Sequence, residues 1–433
     1  METLVKTLQA RLDRLAVPIA IGLPTGQRVG ATAAPVTLTF SEWSGLATMA
    51  AGQIGKLAED YVEGRMQIAG RMREVMSAAA RLLPGSPVRT DTTWWTQALR
   101  RAKSLSQHAT PEKDAQQIQF HYDVSDDFYA LWLDPLRVYS CAYYRDAEMS
   151  LAQAQQAKLD HICRKLMLKP GEKFLDIGAG WGGLLLWAAE NYGVHARGIT
   201  LSKNQHAHVN RLIQERGLAG RVQMDLRDYR ELGDERAYDK IASVGMFEHV
   251  GQVNMPAYFS TIFRLLKPGG LVMNHGITAG GINPGQLGAG MGQFIEKYIF
   301  PGGELLHVSH VLRDLAASGL EMVDVENLRP HYARTLWAWS DNLEAKLDEA
   351  RAVLVRGSDA QHAERVLRAY RLYLSGCAMT FEQGWIALHQ VVASRPDNDM
   401  NSGTLRGAQS PYPFNREYMY ACSTNSSPKP PVT

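Results

Sequence analysis

The sequence is short of several things, and each shortage excludes something. Among 433 residues there are four cysteines, Cys141, Cys163, Cys377 and Cys422, with no CxxC pair and no metal-ligand spacing. A disulfide framework and a cysteine-built metal centre are set aside, and a reducing, cytoplasmic setting is expected. Long apolar runs are missing too: none approaches the roughly 20 residues that span a bilayer. The opening METLVKTLQARLDRL is amphipathic and charged, unlike the apolar core of a secretory signal. Net charge is only +2, so the chain as a whole offers no field to nucleic acid. Internal repeats are absent, which sets aside solenoids and propellers.

What charge there is lies unevenly. From Arg65 to Lys103 there are eight bases against two acids, Glu74 and Asp91. Such a patch can meet phosphate head groups, although a solvated helix face is the plainer account. The chain length suits two domains. Residues 17 to 40 carry short apolar runs, VPIAIGL and VTLTF, between turn residues, and read as strands. From Glu42 to Leu83 the pattern turns helical, broken at Gly52, Gly55, Gly64 and Gly70. Residues 1–83 therefore read as an N-terminal domain and the proline-punctuated residues 84–114 as a linker. From 115 to 395 helices alternate with the buried strands KFLDIGAG, HARGITL, RVQMDL, DKIASVGMF and LVMNHGI. That alternation predicts an α/β fold with a doubly wound, mostly parallel sheet. Asp341 to Ala393 reads mainly as amphipathic helix, and residues 396–433 as a flexible tail.

The first strand runs into DIGAGWGG, where Gly178, Gly180 and Gly183 have GxGxxG spacing. Alone this is a weak dinucleotide signal, because such a site also wants an acid at the end of the second strand. That strand ends GITLSKNQ, with Thr200 in the acid's place. Asp176 stands before the turn instead, in the order Asp-x-Gly-x-Gly, which suits S-adenosylmethionine, a ligand without a pyrophosphate. Glycines there let the backbone approach a ligand closely. Methyl transfer is favoured over hydride transfer.

The motifs HYDVSDDFYALWLD, YSCAYY, LDIGAGWGG, GITLSKNQ, SVGMFEHVG and KYIFPGG follow one another in this chain. In that order and spacing, residues 115 to 395 resemble the cyclopropane-fatty-acid synthase family, which includes the mycobacterial mycolic-acid cyclopropane synthases. Upstream, GKLAEDYVEGRMQIAG is similar to the amino-terminal segment of the long bacterial synthases, a small α+β lipid-binding domain. The resemblance implies a class I S-adenosylmethionine-dependent methyltransferase fold. It also implies methyl transfer to the cis double bond of an unsaturated phospholipid acyl chain. A bound bicarbonate then removes a proton and a cyclopropane ring closes. Carried over residue by residue, it implies cofactor contacts at Tyr122, Tyr139, Ser140, Gly178, Gly180, Thr200 and Gln205, with Asp228 and Tyr229 near the adenine. The implied bicarbonate cage is Glu248, His275 and Tyr332, joined by Cys141 and Ile277 through their backbones. The implied partner is a phospholipid at the inner face of the membrane, met peripherally, with a homodimer left open. This chain departs from the pattern at Ala179, where many members have cysteine. It departs again in the glycine-rich HGITAGGINPGQLGAG, residues 275 to 290, which bears on the acyl pocket.

Read from the residues alone, SVGMFEHVGQ poses a question: an apolar strand ends in an adjacent carboxylate and imidazole. The carboxyl end of a central strand is where such sheets place ligands, so Glu248 is expected to orient the base, unless Arg334 simply pairs with it. His275 ends the next strand and can reach the same point. Alternation of strand side chains sends His249 to the other face, as a structural residue or one that supports the site from behind. The alternatives are a methyl-branched or methylene product, an inactive lipid-binding module on a methyltransferase fold, and a nicotinamide dehydrogenase, which Thr200 disfavours.

Overall fold

The computed structural model describes residues 9–10, 12, 19–50, 53–82, 125–233, 236–282, 298, 304–397 and 412–420. The segment read as a linker, 84–114, lies outside them.

In the N-terminal unit, β1 (Ile19–Gly22), β2 (Arg28–Gly30), β3 (Val36–Phe40) and β4 (Met66–Ala69) form a sheet in the order β2-β1-β3-β4. The runs VPIAIGL and VTLTF supply β1 and β3, which pair in parallel. Strand β4 falls in a stretch expected to be helical. Its MQIA alternates between buried and more exposed side chains and pairs antiparallel with β3. Helices α1 (Trp43–Ala50), α2 (Ile54–Val62) and α3 (Met72–Leu82) complete the unit. Leu46, Val62, Met72 and Val75 are buried with Ile19, Ile21, Val36 and Phe40.

The larger sheet holds β5 (Lys173–Ile177), β6 (His195–Thr200), β7 (Val222–Leu226), β8 (Tyr238–Val244), β9 (Leu266–Ala279), β10 (Glu321–Asn327) and β11 (Ile386–Ser394). Their order is β10-β11-β9-β8-β5-β6-β7. Strands β5 to β9 pair in parallel, and β11 runs antiparallel to β9 and β10. This is the expected doubly wound sheet. Successive strand residues enter opposite layers: Phe174, Ala242, Met273 and Val392 pack on one face, Leu175, Ile241, Val272 and Val391 on the other. The first layer is α5 (Leu151–Lys165), α6 (Gly183–Tyr192) and α7 (Lys203–Glu215); the second is α8 (Met255–Leu265) and α9 (Val308–Ala317). Burial on both faces explains why these strands read as continuous apolar runs. Chain order reverses at β5, and the crevice at its carboxyl end is where such sheets bind ligands.

Three expectations need correction. IALHQVVAS, within the stretch read mainly as helix, is β11, buried between β9 and β10. LKPGG, residues 266 to 270, reads by its proline and glycines as the close of the preceding helix, but it opens β9, and that helix ends at Leu265. Part of the segment read as a flexible tail is docked. Residues 412–420 include α13 (Glu417–Tyr420). There Met419 is buried, its carbonyl lies 3.1 Å from His161 Nδ1, and Arg416 Nη2 donates to the Val323 carbonyl at 2.6 Å.

Helices α4 (Asp126–Trp132), α10 (Arg329–Glu344), α11 (Leu347–Val355) and α12 (Ala360–Glu382) fill the space between the sheet and the N-terminal unit. Arg371 Nη1 donates to the Tyr61 hydroxyl at 2.7 Å, and Arg73 reaches Asp341 at 2.6 Å while lying over the Trp337 ring. Among the described residues no helix is long and apolar enough to cross a membrane.

Candidate active site

A cavity of about 170 Å³ opens at the carboxyl ends of β5, β6 and β8. Tyr139, Ser140, Asp176, Gly178, Gly180, Thr200, Gln205, Asp228 and Tyr229 all line it; Tyr122 lies outside the described residues. The geometry follows from local rules. Ser202 caps α7 by accepting from Gln205 N at 3.3 Å, which is ordinary N-cap chemistry. Thr200 Oγ1 donates to Gln205 Oε1 at 2.7 Å and accepts from Ser202 N at 3.1 Å. The position that a dinucleotide site gives to a carboxylate is thus a hydroxyl committed to a helix start. Asp228 is clamped by Arg230, which donates from Nε at 2.9 Å and from Nη2 at 2.7 Å. The Tyr229 ring stands edge-on to Tyr258 at 5.4 Å.

Lys158 also lines this cavity, and the sequence reading missed it. It is buried and donates from Nζ to Ser140 Oγ at 2.9 Å. Burial draws its pKa down to about 8, against the pull of Cys141, Asp134 and Asp176. Burial likewise pushes Asp176 up to about 7, with Lys158 opposing. A signal was present: Lys158 falls four residues after Ala154 and four before Ile162, on the apolar stripe of its helix.

The strand carrying Glu248 ends at Val244, and Phe247–His249 forms a 3-10 turn. Strand alternation therefore does not apply, and His249, expected to face away, lines the cavity. Glu248 turns behind it. Its Oε1 accepts from Ile277 N at 2.7 Å, and its buried Oε2 has no partner among the described residues. Arg334 is not its mate: that side chain donates to the carbonyls of Ala147 at 2.6 Å and Met149 at 3.1 Å. Burial raises the Glu248 carboxyl to about 7, against the lowering effect of the Ile277 N–H.

His275 lies inside β9, not at its end, because β11 pairs along β9 as far as Ala279. It shares a strand face with Ile277, two residues on. Gln390 Nε2 sits 3.1 Å from His275 Nδ1, and the buried Nε2 has no partner among the described residues. Burial holds this imidazole well below its usual pKa, hence neutral. Between them Gly276 permits close approach: a Cβ there would lie 2.0 Å from the Phe247 ring and 2.9 Å from Glu248 Oε1.

Cys141 and Tyr332 join this cluster through Leu328. The Leu328 carbonyl accepts from Tyr332 N at 3.0 Å and lies 3.9 Å from Cys141 Sγ. Leu328 N donates to the carbonyl of Leu388, the β11 partner of Ile277. Tyr332 is buried, with its ring 4.7 Å from that of Phe381. Burial pushes the Cys141 thiol up, so it stays protonated. None of Cys141, Glu248, His275, Ile277 and Tyr332 lines the 170 Å³ cavity, whereas their neighbours Ser140 and His249 do. The cluster thus abuts the cavity lining at both points, Cys141 following Ser140 and Glu248 preceding His249. Aromatic rings pack beside it, Tyr139 standing 5.4 Å from Trp132 and 5.5 Å from Trp339.

Residues 109–391 match the family model described as mycolic acid cyclopropane synthetase. The chain belongs to this family. It is 40% identical over 414 residues to a probable fatty acid methyltransferase of Pseudomonas putida, covering 95% of this chain and 99% of that one. It is 41% identical over 275 residues to the cyclopropane-fatty-acyl-phospholipid synthase of Escherichia coli (strain K12), covering 64% of this chain and 66% of that one. The solved mycolic acid cyclopropane synthase CmaA1, complexed with SAH and CTAB, is 36% identical, with a TM-score of 0.59. That match covers 65% of this chain and 98% of that one. This member of the family is an S-adenosylmethionine-dependent methyltransferase with the class I fold.

Proposed function

We propose that the enzyme moves a methyl group from S-adenosylmethionine to the cis double bond of an unsaturated phospholipid acyl chain. A cyclopropane ring then closes with bicarbonate as the base. The observation that carries this reading is the pair of buried atoms, Glu248 Oε2 and His275 Nε2, left without partners behind the cofactor cavity. Orphaned polar atoms at such depth call for a ligand. With Gln390 donating to Nδ1, the neutral His275 ring carries its proton on Nε2 and can only donate there. Ionised Glu248 can only accept. A small anion bearing one O–H satisfies both, its hydroxyl toward Glu248 and an anionic oxygen toward His275. Tyr332, the Ile277 backbone and the Cys141 backbone would complete the cage. When bound, S-adenosylmethionine supplies the electrophilic methyl and bicarbonate supplies the base. The chain's own residues would hold that anion beside the cofactor cavity, so that it can take a proton from the transferred methyl.

Incubating the enzyme with S-adenosylmethionine and monounsaturated phospholipid vesicles should yield an acyl chain heavier by one CH2, with ring-methylene protons in the NMR spectrum. Turnover that leaves the double bond untouched would sink this reading. A methyl branch or a methylene group is the second reading, favoured by the fatty acid methyltransferase name of the P. putida relative; the same spectra distinguish it.

Residues 1–83 are proposed as the lipid-binding part and the enzyme as peripheral to the inner membrane face. Of the basic stretch, Arg65 is paired with Asp60 and Arg73 with Asp341, while Arg71 and Arg81 are exposed. Arg89, Arg100, Arg101 and Lys103 lie outside the described residues. Each free cation near an anionic bilayer contributes about 1 kcal/mol, screened by salt. Replacing Arg71 and Arg81 by glutamine should weaken co-sedimentation with anionic vesicles and flatten its salt dependence. Binding insensitive to salt and to head-group charge would leave the stretch as a solvated face.

A further inference from the structure

Lys158 is a buried cation for which the reaction above has no task. Only 1% exposed, it lines the cofactor cavity together with Ser140, Asp176 and Gly178. Helix α5 holds Ser140 at two points. Gln155 Nε2 donates to the Ser140 carbonyl at 2.8 Å, and Lys158 Nζ lies 2.9 Å from the Ser140 hydroxyl oxygen. An ammonium group has three donors and no acceptor. The Ser140 oxygen must therefore accept from Lys158, which leaves its own O–H to donate elsewhere, and it borders the cavity.

The two ends of the cavity differ. Asp228 and Tyr229 follow β7, two strands from β5, a separation of about 10 Å at the usual strand spacing. That length separates the adenine of S-adenosylmethionine from its amino-acid end. At the β7 end the Arg230 cation is already neutralised by Asp228, 2.7 Å away. Of the other cations of the lining, Arg137 lies 3.6 Å from Asp126, and Arg227 is exposed, next to Asp228 at the β7 end. Lys158 has a hydroxyl as its hydrogen-bond partner instead. A cation and a carboxyl, Lys158 and Asp176, on one wall match the carboxylate and ammonium of an amino acid.

The geometry points to Lys158 as a positioning residue that aims the Ser140 hydroxyl at the carboxylate of the cofactor's amino-acid end. This rests on the cofactor reading of the cavity. The test is calorimetric titration of the full chain with S-adenosylhomocysteine and with its analogue lacking the α-carboxylate. Hydrogen bonds to charged groups imply that the wild type prefers the carboxylate-bearing ligand by roughly tenfold or more. Lys158→Met should lose most of that preference while binding the carboxylate-free analogue as the wild type does. Ser140→Ala should show the same pattern, and the double variant should be no worse than the weaker single one, since both act through one bond. In turnover, Lys158→Met should raise KM for S-adenosylmethionine with kcat nearly unchanged. Equal weakening toward both ligands, no weakening, or losses that add to those of Ser140→Ala would overturn the assignment. If Lys158→Met does not fold, Lys158→Gln, whose amide can still donate to the serine oxygen, enters the same cycle, and additivity again decides against it. A wild type that binds neither ligand would defeat the cofactor reading itself, a separate outcome.

Discussion

Glu248→Ala should lower turnover by about 10²–10⁴-fold, the usual consequence of losing a positioned acid–base group, while S-adenosylhomocysteine affinity stays near wild type. The separation is physical. Glu248 accepts from Ile277 N and does not line the cofactor cavity, whereas its neighbour His249 does. Removing the carboxylate leaves the Ile277 N–H unanswered and the base unoriented. Glu248→Gln keeps the shape and an acceptor for the Ile277 N–H, so it should be less impaired than alanine. His275→Ala should resemble Glu248→Ala, because the Nε2–H opposite is lost. The pH profile carries the sign of the shift. Glu248 ionises at about 7, so at fixed bicarbonate concentration activity should climb as pH rises through 7 and the carboxyl becomes an acceptor. Below that pH the protonated group donates instead, and the fit to an O–H is lost. Glu248→Gln should show no such limb. Stripping carbon dioxide from the buffer should slow the wild type, and added bicarbonate should restore it. A wild-type rate from Glu248→Ala in bicarbonate-free buffer would reduce Glu248 and His275 to ordinary structure.

The parts of this molecule that could be read in advance are those where one local rule decides. Strands β5 to β8 are buried on both faces and bounded by turns, so their apolar runs stand out against the helices between them. The glycine turn carries its own geometry in its spacing. What escaped depended on distant partners. Strand β4 is four residues long and gains its identity from pairing with β3. Strand β11 follows a long helix and was read as its continuation, because only the slot between β9 and β10 makes it a strand. His249 was misplaced because a period of two was extended past Val244, where the chain had already turned. Lys158 was overlooked although a lysine on an apolar helix stripe is a visible anomaly, and its partner Ser140 comes from a loop 18 residues earlier. The docking of residues 412–420 rests on Arg416 and Met419 finding β10 and α5, which no local pattern announces.

Two glycines, one lining the cofactor cavity and one packed against Glu248, should fail in opposite ways. Gly180 has φ +56, and a Cβ on it would meet no atom within 4 Å, because it points into the cofactor cavity. Gly180→Val places a branched side chain in that space and forces it into a backbone region that β-branched residues resist. S-adenosylhomocysteine raises the melting temperature of a protein that binds it in the folded state, and that rise should disappear in Gly180→Val. Gly180→Ala, with one methyl and a smaller backbone penalty, should retain part of it. Gly276 is tight for another reason: a Cβ there would overlap the Phe247 ring at 2.0 Å and crowd Glu248 Oε1 at 2.9 Å. Overpacking of this kind typically destabilises by about 1–3 kcal/mol. The strain falls on the turn that aims Glu248, so Gly276→Ala should keep the ligand-induced rise in melting temperature from a lower starting point and lose turnover. Differential scanning fluorimetry with and without S-adenosylhomocysteine, beside the vesicle assay, reads both variants. If Gly180→Val kept the shift and Gly276→Ala lost it, the cofactor site and the Glu248 cluster would have been assigned the wrong way round.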